Sequence, residues 1–329
     1  MWPLIKLLPA TTNFRFVSFA RIAGILSLLA VIGSLVMTLY PLTPPCGGLN
    51  CGIDFRGGTV LEFSTAPKPV NLGAARGAVT GLGLGDVQMQ AFGTPADPQG
   101  RFNAMARFET PSDRHPAQTV TQVKQALTAI HGPQTRFSRT EVVGPKVSSE
   151  LFRNGLLALG LAIVLMLVYI WFRFELQFGL GAVVGLFHDV ILTFGVIAVT
   201  GMEFSLTTIA AILTIIGYSM NDTVVVFDRI RENLRKYKRM PLAEVIDLSV
   251  NETLSRTIIT GLTAILALAG LAVFGGEALF GFSVIMIFGI VIGTYSSIYV
   301  AAPVILLWGV KRGEEEATPI KPMGATTNR

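Results

Sequence analysis

The sequence predicts an α-helical polytopic membrane protein with six transmembrane helices and a small α+β domain between the first and second. Three observations predict it. Of the 329 residues, 51% are hydrophobic and only 14% are charged, whereas a soluble domain is nearer a quarter charged. Six stretches, 19–40, 155–171, 178–200, 206–226, 257–274 and 280–307, are apolar and long; about 20 apolar residues as a helix cross about 30 Å of hydrocarbon. One large polar region, 42–150, separates the first stretch from the rest.

Residues 1–18 read as a short basic lead on the cytoplasmic side, with Lys6 and Arg15, and the first helix takes 19–41. Its apolar core is too long for a secretory signal, and no small-residue cleavage site follows it. The next segment carries Cys46 and Cys51 in CGGLNC. On an oxidising face such a pair either closes a disulfide or stays as two thiols. The cysteines do not make a metal site, which needs more ligands.

The region 42–150 has a soluble pattern. Residues 59–63 read as a strand. Asn71 stands where a helix cap is wanted, before Leu72, Ala75, Val79 and Leu82 at helical spacing. Val87, Met89 and Ala91 alternate, as do Phe102, Ala104, Ala106 and Phe108, with GTPADPQG between them as a hairpin turn. Val120, Val123, Leu127 and Ile130 mark a second helix, and 137–143 a last strand. The order β-α-β-β-α-β fits a ferredoxin-like sandwich. That fold alone names no function.

Residues 151–310 hold helices two to six. The Lys and Arg residues decide their orientation. Arg173 lies between the second and third helices, while Arg229, Arg231, Arg235, Lys236, Lys238 and Arg239 follow the fourth and Lys311 and Arg312 the sixth. The short turns 201–203 and 275–277 carry no Lys or Arg. The positive-inside rule then puts both termini in the cytoplasm and 42–150 outside. The same rule accounts for the net charge of +5 without nucleic acid as a partner. The link 229–253 is read as a cytoplasmic loop whose Leu242, Val245, Ile246 and Val250 line one face of a helix at the membrane surface. The tail 311–329 reads as disordered.

Four groups carry the chemistry. Asn221 and Asp222 sit inside the fourth apolar run. An ionisable group there costs about 2.5–3.5 kcal/mol on insertion scales and marks a functional site by default. Asp222 reads as a proton acceptor, or as a hydrogen-bonded acid that holds helices together. Arg256, where the fifth span begins, is either its counter-ion or an arginine snorkelling to the interface. His188 and Asp189 lie midway along the third span, where an imidazole and a carboxylate suit a proton relay or a structural hydrogen bond. GIDFRGGT, with Gly52, Asp54, Gly57 and Gly58, opens the polar domain and has the glycines of a tight turn. It lacks the order of a dinucleotide site. No Walker motif, hydrolase elbow or metal cluster occurs in the sequence, so neither an enzyme nor a cofactor is expected. Two G-x-x-x-G pairs, Gly181 with Gly185 and Gly289 with Gly293, allow close helix contact, internal or with a partner.

GIDFRGGT before the polar domain, HD in the third span, YSMNDTVVVFDRIREN closing the fourth and SRTIITGLT opening the fifth together resemble the SecF family of bacterial protein-export membrane proteins, in the RND superfamily. The resemblance covers nearly the whole chain. It implies a multi-pass protein of the cell inner membrane with SecD as a heteromeric partner, acting with the SecYEG channel on a translocating preprotein. It implies protons as the coupling ion and no ATP at that stage. Asp222 and Arg256 match the positions expected to serve proton passage, facing an acid from SecD. His188 and Asp189 match the family's motif as well. CGGLNC is no hallmark of that family. Two other readings stand beside this one: an RND-type exporter of small molecules or lipids, and a non-conducting assembly subunit of the translocon.

Overall fold

The computed structural model describes residues 12–42, 46–84, 87–93, 100–109, 114–275 and 277–309. In chain order the elements are α1 (Phe16–Leu39), β1 (Asn50–Cys51), α2 (Ile53–Arg56), β2 (Gly58–Ser64), α3 (Leu72–Thr80), β3 (Val87–Ala91), β4 (Asn103–Phe108), α4 (Pro116–His131) and β5 (Arg136–Val143). There follow α5 (Pro145–Arg173), α6 (Leu176–Thr200), β6 (Glu203–Phe204), α7 (Leu206–Lys236), α8 (Leu242–Phe274), α9 (Glu277–Ser296), a π turn (Ser297–Ala301) and α10 (Ala302–Trp308). Among the described residues, six helices are long and apolar enough to cross a membrane: α1, α5, α6, α7, α8 and the last, Leu279–Leu307, which joins α9, the π turn and α10.

Apolar length places these helices in sequence, but packing ranks them. In their most apolar windows α6, α7 and the last helix are 56%, 50% and 56% buried, against 11%, 17% and 11% for α1, α5 and α8. The first three make the centre of the bundle and the others its outside. A polar side chain finds protein partners only in that centre, which decides where an acid can sit. Glycines let the centre close. A Cβ added at Gly289 would lie 2.3 Å from Ile215 Cδ1, and one at Gly293 2.9 Å from Ser219 Cβ, both on α7. A Cβ at Gly181 would lie 2.6 Å from the Ala301 carbonyl, and one at Gly185 3.3 Å from the Ala301 Cβ. Both G-x-x-x-G pairs are therefore internal contacts that grip the last helix.

The ends of α7 and α8 differ from the loop read over 229–253. Helix α7 continues to Lys236 and α8 begins at Leu242, so only 237–241 connect them. Hydropathy marks where a helix leaves the apolar layer, not where its backbone hydrogen bonds stop. Val245, Ile246 and Val250 are buried, the latter two in the bundle core with Ile230, rather than spread at a membrane surface. The polar edge of this extension is used too. Arg229 pairs with Glu252 at 2.6 Å, and Asn233 donates to Ser249 at 3.0 Å. Arg173 pairs with Asp228, tying the turn after α5 to α7. Asp247 Oδ1 accepts from Val17 N, and Asn251 Oδ1 from Phe14 N, each at 2.9 Å. Asp247 thus satisfies a donor that the first turn of α1 leaves open, and Asn251 holds the chain just before that helix.

Between α1 and α5 lies an α+β unit with its own core. Its four-stranded sheet has the order β3-β4-β2-β5, every neighbour antiparallel. Helices α3 and α4 follow β2 and β4, giving the β-α-β-β-α-β order read from the residues. Asn71 Oδ1 accepts from Ala74 N at 3.0 Å and so caps α3. The inward residues of β4 alternate with half-exposed ones and meet Leu61, Phe63, Val79, Val123 and Leu127. Residues 94–99 of the expected hairpin turn lie outside the described residues, as do 1–11 and the tail 311–329. Cys46 and Cys51 are joined as a disulfide, with Cα atoms 6.0 Å apart.

Candidate functional site: a buried acidic centre and its latch

Two carboxylates lie at the centre of the bundle, each held by hydroxyls from neighbouring helices. Asp222, on α7, accepts from Thr257 Oγ1 of α8 at 2.6 Å through Oδ1 and from Ser297 Oγ of the π turn at 2.8 Å through Oδ2. Asp189, on α6, is 1% exposed. Its Oδ1 lies 2.9 Å from His188 Nδ1, and its Oδ2 accepts from Ser296 Oγ at 2.7 Å and from Ser219 Oγ of α7. Adjacent helical residues point about 100° apart by the helical repeat, yet His188 and Asp189 are both buried and bonded to each other. The His188 ring stacks on Tyr295, centroids 6.0 Å apart, while its Nε2 is buried and has no hydrogen-bond partner among the described residues.

Arg256 lines the same cleft as Asp222, with Tyr218, Asn221, Thr257, Thr260 and Thr294. The cleft has a volume of about 20 Å³, enough for one water-sized group. Arg256 and Asn221 are exposed on the outside of the bundle, and among the described residues Asp222 is bonded by Thr257 and Ser297 rather than ion-paired with Arg256. Three sequence-predicted residues, Asp222, Asn221 and Arg256, thus come together at one opening, while His188 and Asp189 sit deeper, on α6. The sequence reading missed Thr257, Ser219, Ser296 and Ser297. Their only trace was polar residues inside apolar runs, a weak signal for serine and threonine.

The GIDFRGGT motif lies at the far end of α7. Strand β1 pairs in parallel with β6, Asn50 opposite Glu203 and Cys51 opposite Phe204. Asp54 Oδ2 accepts from Leu206 N at 2.9 Å, so it caps the helix that carries Asp222, beside the Ser205 cap. A Cβ at Gly52 would lie 2.3 Å from Glu203 Oε1, so a side chain there would push the Glu203 carboxylate aside. Arg107 of β4 reaches across to Glu203 at 2.6 Å and to the Cys51 carbonyl at 3.2 Å. The α+β unit is therefore latched to the first turn of α7.

Gly57 and Gly58 have φ of +76° and +113°, backbone that L side chains rarely adopt. A Cβ at Gly58 would also lie 2.9 Å from the Phe108 carbonyl. Gly58→Val is expected to cost about 1–3 kcal/mol of local strain and to loosen the latch while the chain still inserts. Limited proteolysis should cut the α+β unit faster than in the wild type. An unchanged cleavage pattern would make the motif a spacer.

Among the described residues, six apolar helices around one buried and one half-buried carboxylate, with an α+β unit latched to the acid-bearing helix, define a polytopic membrane protein with a polar centre. Residues 122–311 match the family described as protein export membrane protein SecD/SecF, C-terminal, and residues 48–69 match the SecD/SecF GG motif. The chain belongs to the SecD/SecF family of protein export membrane proteins and is similar to its SecF members. It is 45% identical over 323 residues to the protein translocase subunit SecF of Rhodobacter capsulatus, covering 96% of this chain and 95% of that one. The SecF of Rickettsia felis is 41% identical over 313 residues, covering 95% and 97%. Among solved structures, SecDF of Thermus thermophilus, described as a translocon-associated membrane protein, superposes with a TM-score of 0.79 at 32% identity, covering 92% of this chain. This chain spans only 39% of that structure's length.

Proposed function

We propose that the chain works with SecD as a proton-driven subunit of the Sec translocase, promoting the late export of polypeptides through SecYEG. One observation carries this reading. Asp222 sits in an apolar helix, bonded among the described residues to hydroxyls alone, in a cleft that opens beside Arg256 on the outside of the bundle. Hydroxyls can serve either state of an acid, since each donates to a carboxylate and accepts from a carboxyl group. An ion pair would favour the charged state alone. In this reading a second acid from SecD faces Asp222 from outside that opening, consistent with a chain matching only part of the SecDF structure.

In this reading Asp222 takes a proton from one side and releases it to the other, and α7 and the last helix shift against α8. Leu206 and Asp222 lie about 24 Å apart along one helix at 1.5 Å per residue, so movement at the acid reaches the Asp54 and Glu203 latch as movement of a rod. The α+β unit, read as a ferredoxin-like sandwich from its β-α-β-β-α-β order, then moves on the periplasmic side, and both termini are cytoplasmic by the placement of Lys and Arg. The working boundaries are 42–150 outside and 151–310 in the membrane. A proton crossing 100 mV releases about 2.3 kcal/mol, enough to redirect a two-state equilibrium of that size.

Inverted vesicles containing the chain with SecD and SecYEG test this directly. A slow preprotein should be completed several-fold faster with an imposed proton gradient than without one. Equal rates would remove the proton from the mechanism. Arg256→Ala should slow gradient-driven export more than Arg256→Lys. The lysine keeps a cation but loses the planar fork of donors. Normal export by Arg256→Ala at full membrane levels would leave Arg256 as a snorkelling anchor.

A further inference from the structure

The last helix carries two consecutive serines at the point where its α-helical turns give way to a π turn, and each serves a different acid. Ser296 closes α9 and Ser297 opens the π turn; both are 0% exposed. Ser296 Oγ donates to Asp189 at 2.7 Å and Ser297 Oγ to Asp222 at 2.8 Å. Each hydroxyl also has a second acceptor within reach, the carbonyl three residues back: Gly293 O at 3.1 Å for Ser296 and Thr294 O at 3.0 Å for Ser297. A serine hydroxyl has one proton to donate, so it serves either the carboxylate or the carbonyl. Helix α7 closes the arrangement from the other side. It carries Asp222 and, three residues earlier on the same face, Ser219, which donates to Asp189.

We propose that Ser296 and Ser297 are positioning residues that couple the two acids: a change of protonation at Asp222 is passed to the Asp189–His188 pair through the turn of the last helix. This rests on the proton reading of Asp222. A protonated Asp222 has its own O–H to donate and no longer needs both hydroxyls, which frees Ser297 to turn to the Thr294 carbonyl. Single π turns inside helices are local departures from the i→i+4 ladder and recur at functional sites. Here the departure begins at Ser297, so a change in its bond acts on backbone that is already off the regular ladder. The adjacent Ser296 then moves against Asp189. No proton travels through the serines in this scheme. Asp222 is faced by Tyr218 and Asn221 on its own helix, Arg256 and Thr257 on α8, and Thr294 and Ser297 on the last helix. Asp189 is faced by His188, Ser219 and Ser296.

The test uses the full chain with SecD in lipid vesicles and reads the carboxyl stretching band of Asp189 by infrared difference spectroscopy. That band is assigned by its loss in Asp189→Asn. Ser297 meets Asp222 and not Asp189, so a purely local role for it leaves the Asp189 band where it was. The expected result is that Ser297→Ala shifts the Asp189 band, and that Ser296→Ala and Ser297→Ala each slow gradient-driven export several-fold. The double variant should be no slower than the worse single one, because residues in one network do not add. An Asp189 band unmoved in Ser297→Ala overturns the coupling. If Ser297→Ala does not accumulate, Ser297→Cys, close in size and a weaker donor, carries the same readout. Normal export by Asp222→Asn would defeat the proton reading itself, whereas the infrared comparison among serine variants does not depend on export.

Discussion

Asp222→Asn is expected to insert at wild-type levels and lose the gradient-dependent part of export. The amide keeps the shape of the side chain and can still accept from Thr257, but it cannot take up a proton. Its NH2 group also meets one of the two hydroxyls that now donate to Asp222, and a serine or threonine can accept as well as donate, so the packing survives. The expected loss is large. The 2.3 kcal/mol that a proton delivers over 100 mV corresponds to about fiftyfold in an equilibrium constant. Export of a slow preprotein in vesicles, with and without an imposed gradient, reads it. A variant that responds to the gradient like wild type would end the proposed role of Asp222.

Gly293→Val is expected to have the second large effect, on the bundle itself. A Cβ there would meet the Cβ of Ser219 at 2.9 Å and its Cα at 3.3 Å, so helix backbone rather than a flexible side-chain tip must give way. Overpacking of this kind costs about 1–3 kcal/mol. The strain falls where Ser219 and Ser296 grip Asp189, so export should fall along with stability. Thermal unfolding in detergent measures the first and vesicle export the second. Gly160→Val is the control, because among the described residues nothing beyond its chain neighbours and its own helix backbone lies within 4 Å of a Cβ added there. Equal stability of the two variants would mean that the last helix does not depend on this contact.

Much of the bundle was legible in the residues. The thickness of a bilayer fixes the length of an apolar helix, so all six spans stand close to where hydropathy puts them, and Asp222 and Asp189 announce themselves as charges in apolar runs. The glycines at 57 and 58 follow the same logic, since a chain that needs positive φ has little choice but glycine. The ends of α7 and α8 were harder. Beyond the apolar layer, residues such as Arg229, Asn233 and Glu252 are polar whether they sit on a helix or in a loop, and only their mutual contacts keep the helix going.

The partners of the acids were beyond the sequence. A serine in a membrane helix can satisfy its hydroxyl on a carbonyl one turn back at little cost, so Ser219, Ser296 and Ser297 carry no mark that sets them apart from the other serines and threonines in the spans. Arg256, which stands out in the sequence, lines the outer cleft beside Asp222 and leaves the hydrogen bonds to Thr257 and Ser297. The sequence by itself determined the six spans, the α+β order of the intervening domain and the two acids, because each follows from local cost: apolar length, side-chain periodicity, a charge out of water. Only the tertiary structure decided which three helices form the centre, which hydroxyl meets which carboxylate, and that Asp54 caps the helix bearing Asp222. Those are contacts between residues as far apart as 152 positions in the chain, and they depend on how close glycines allow the helices to come.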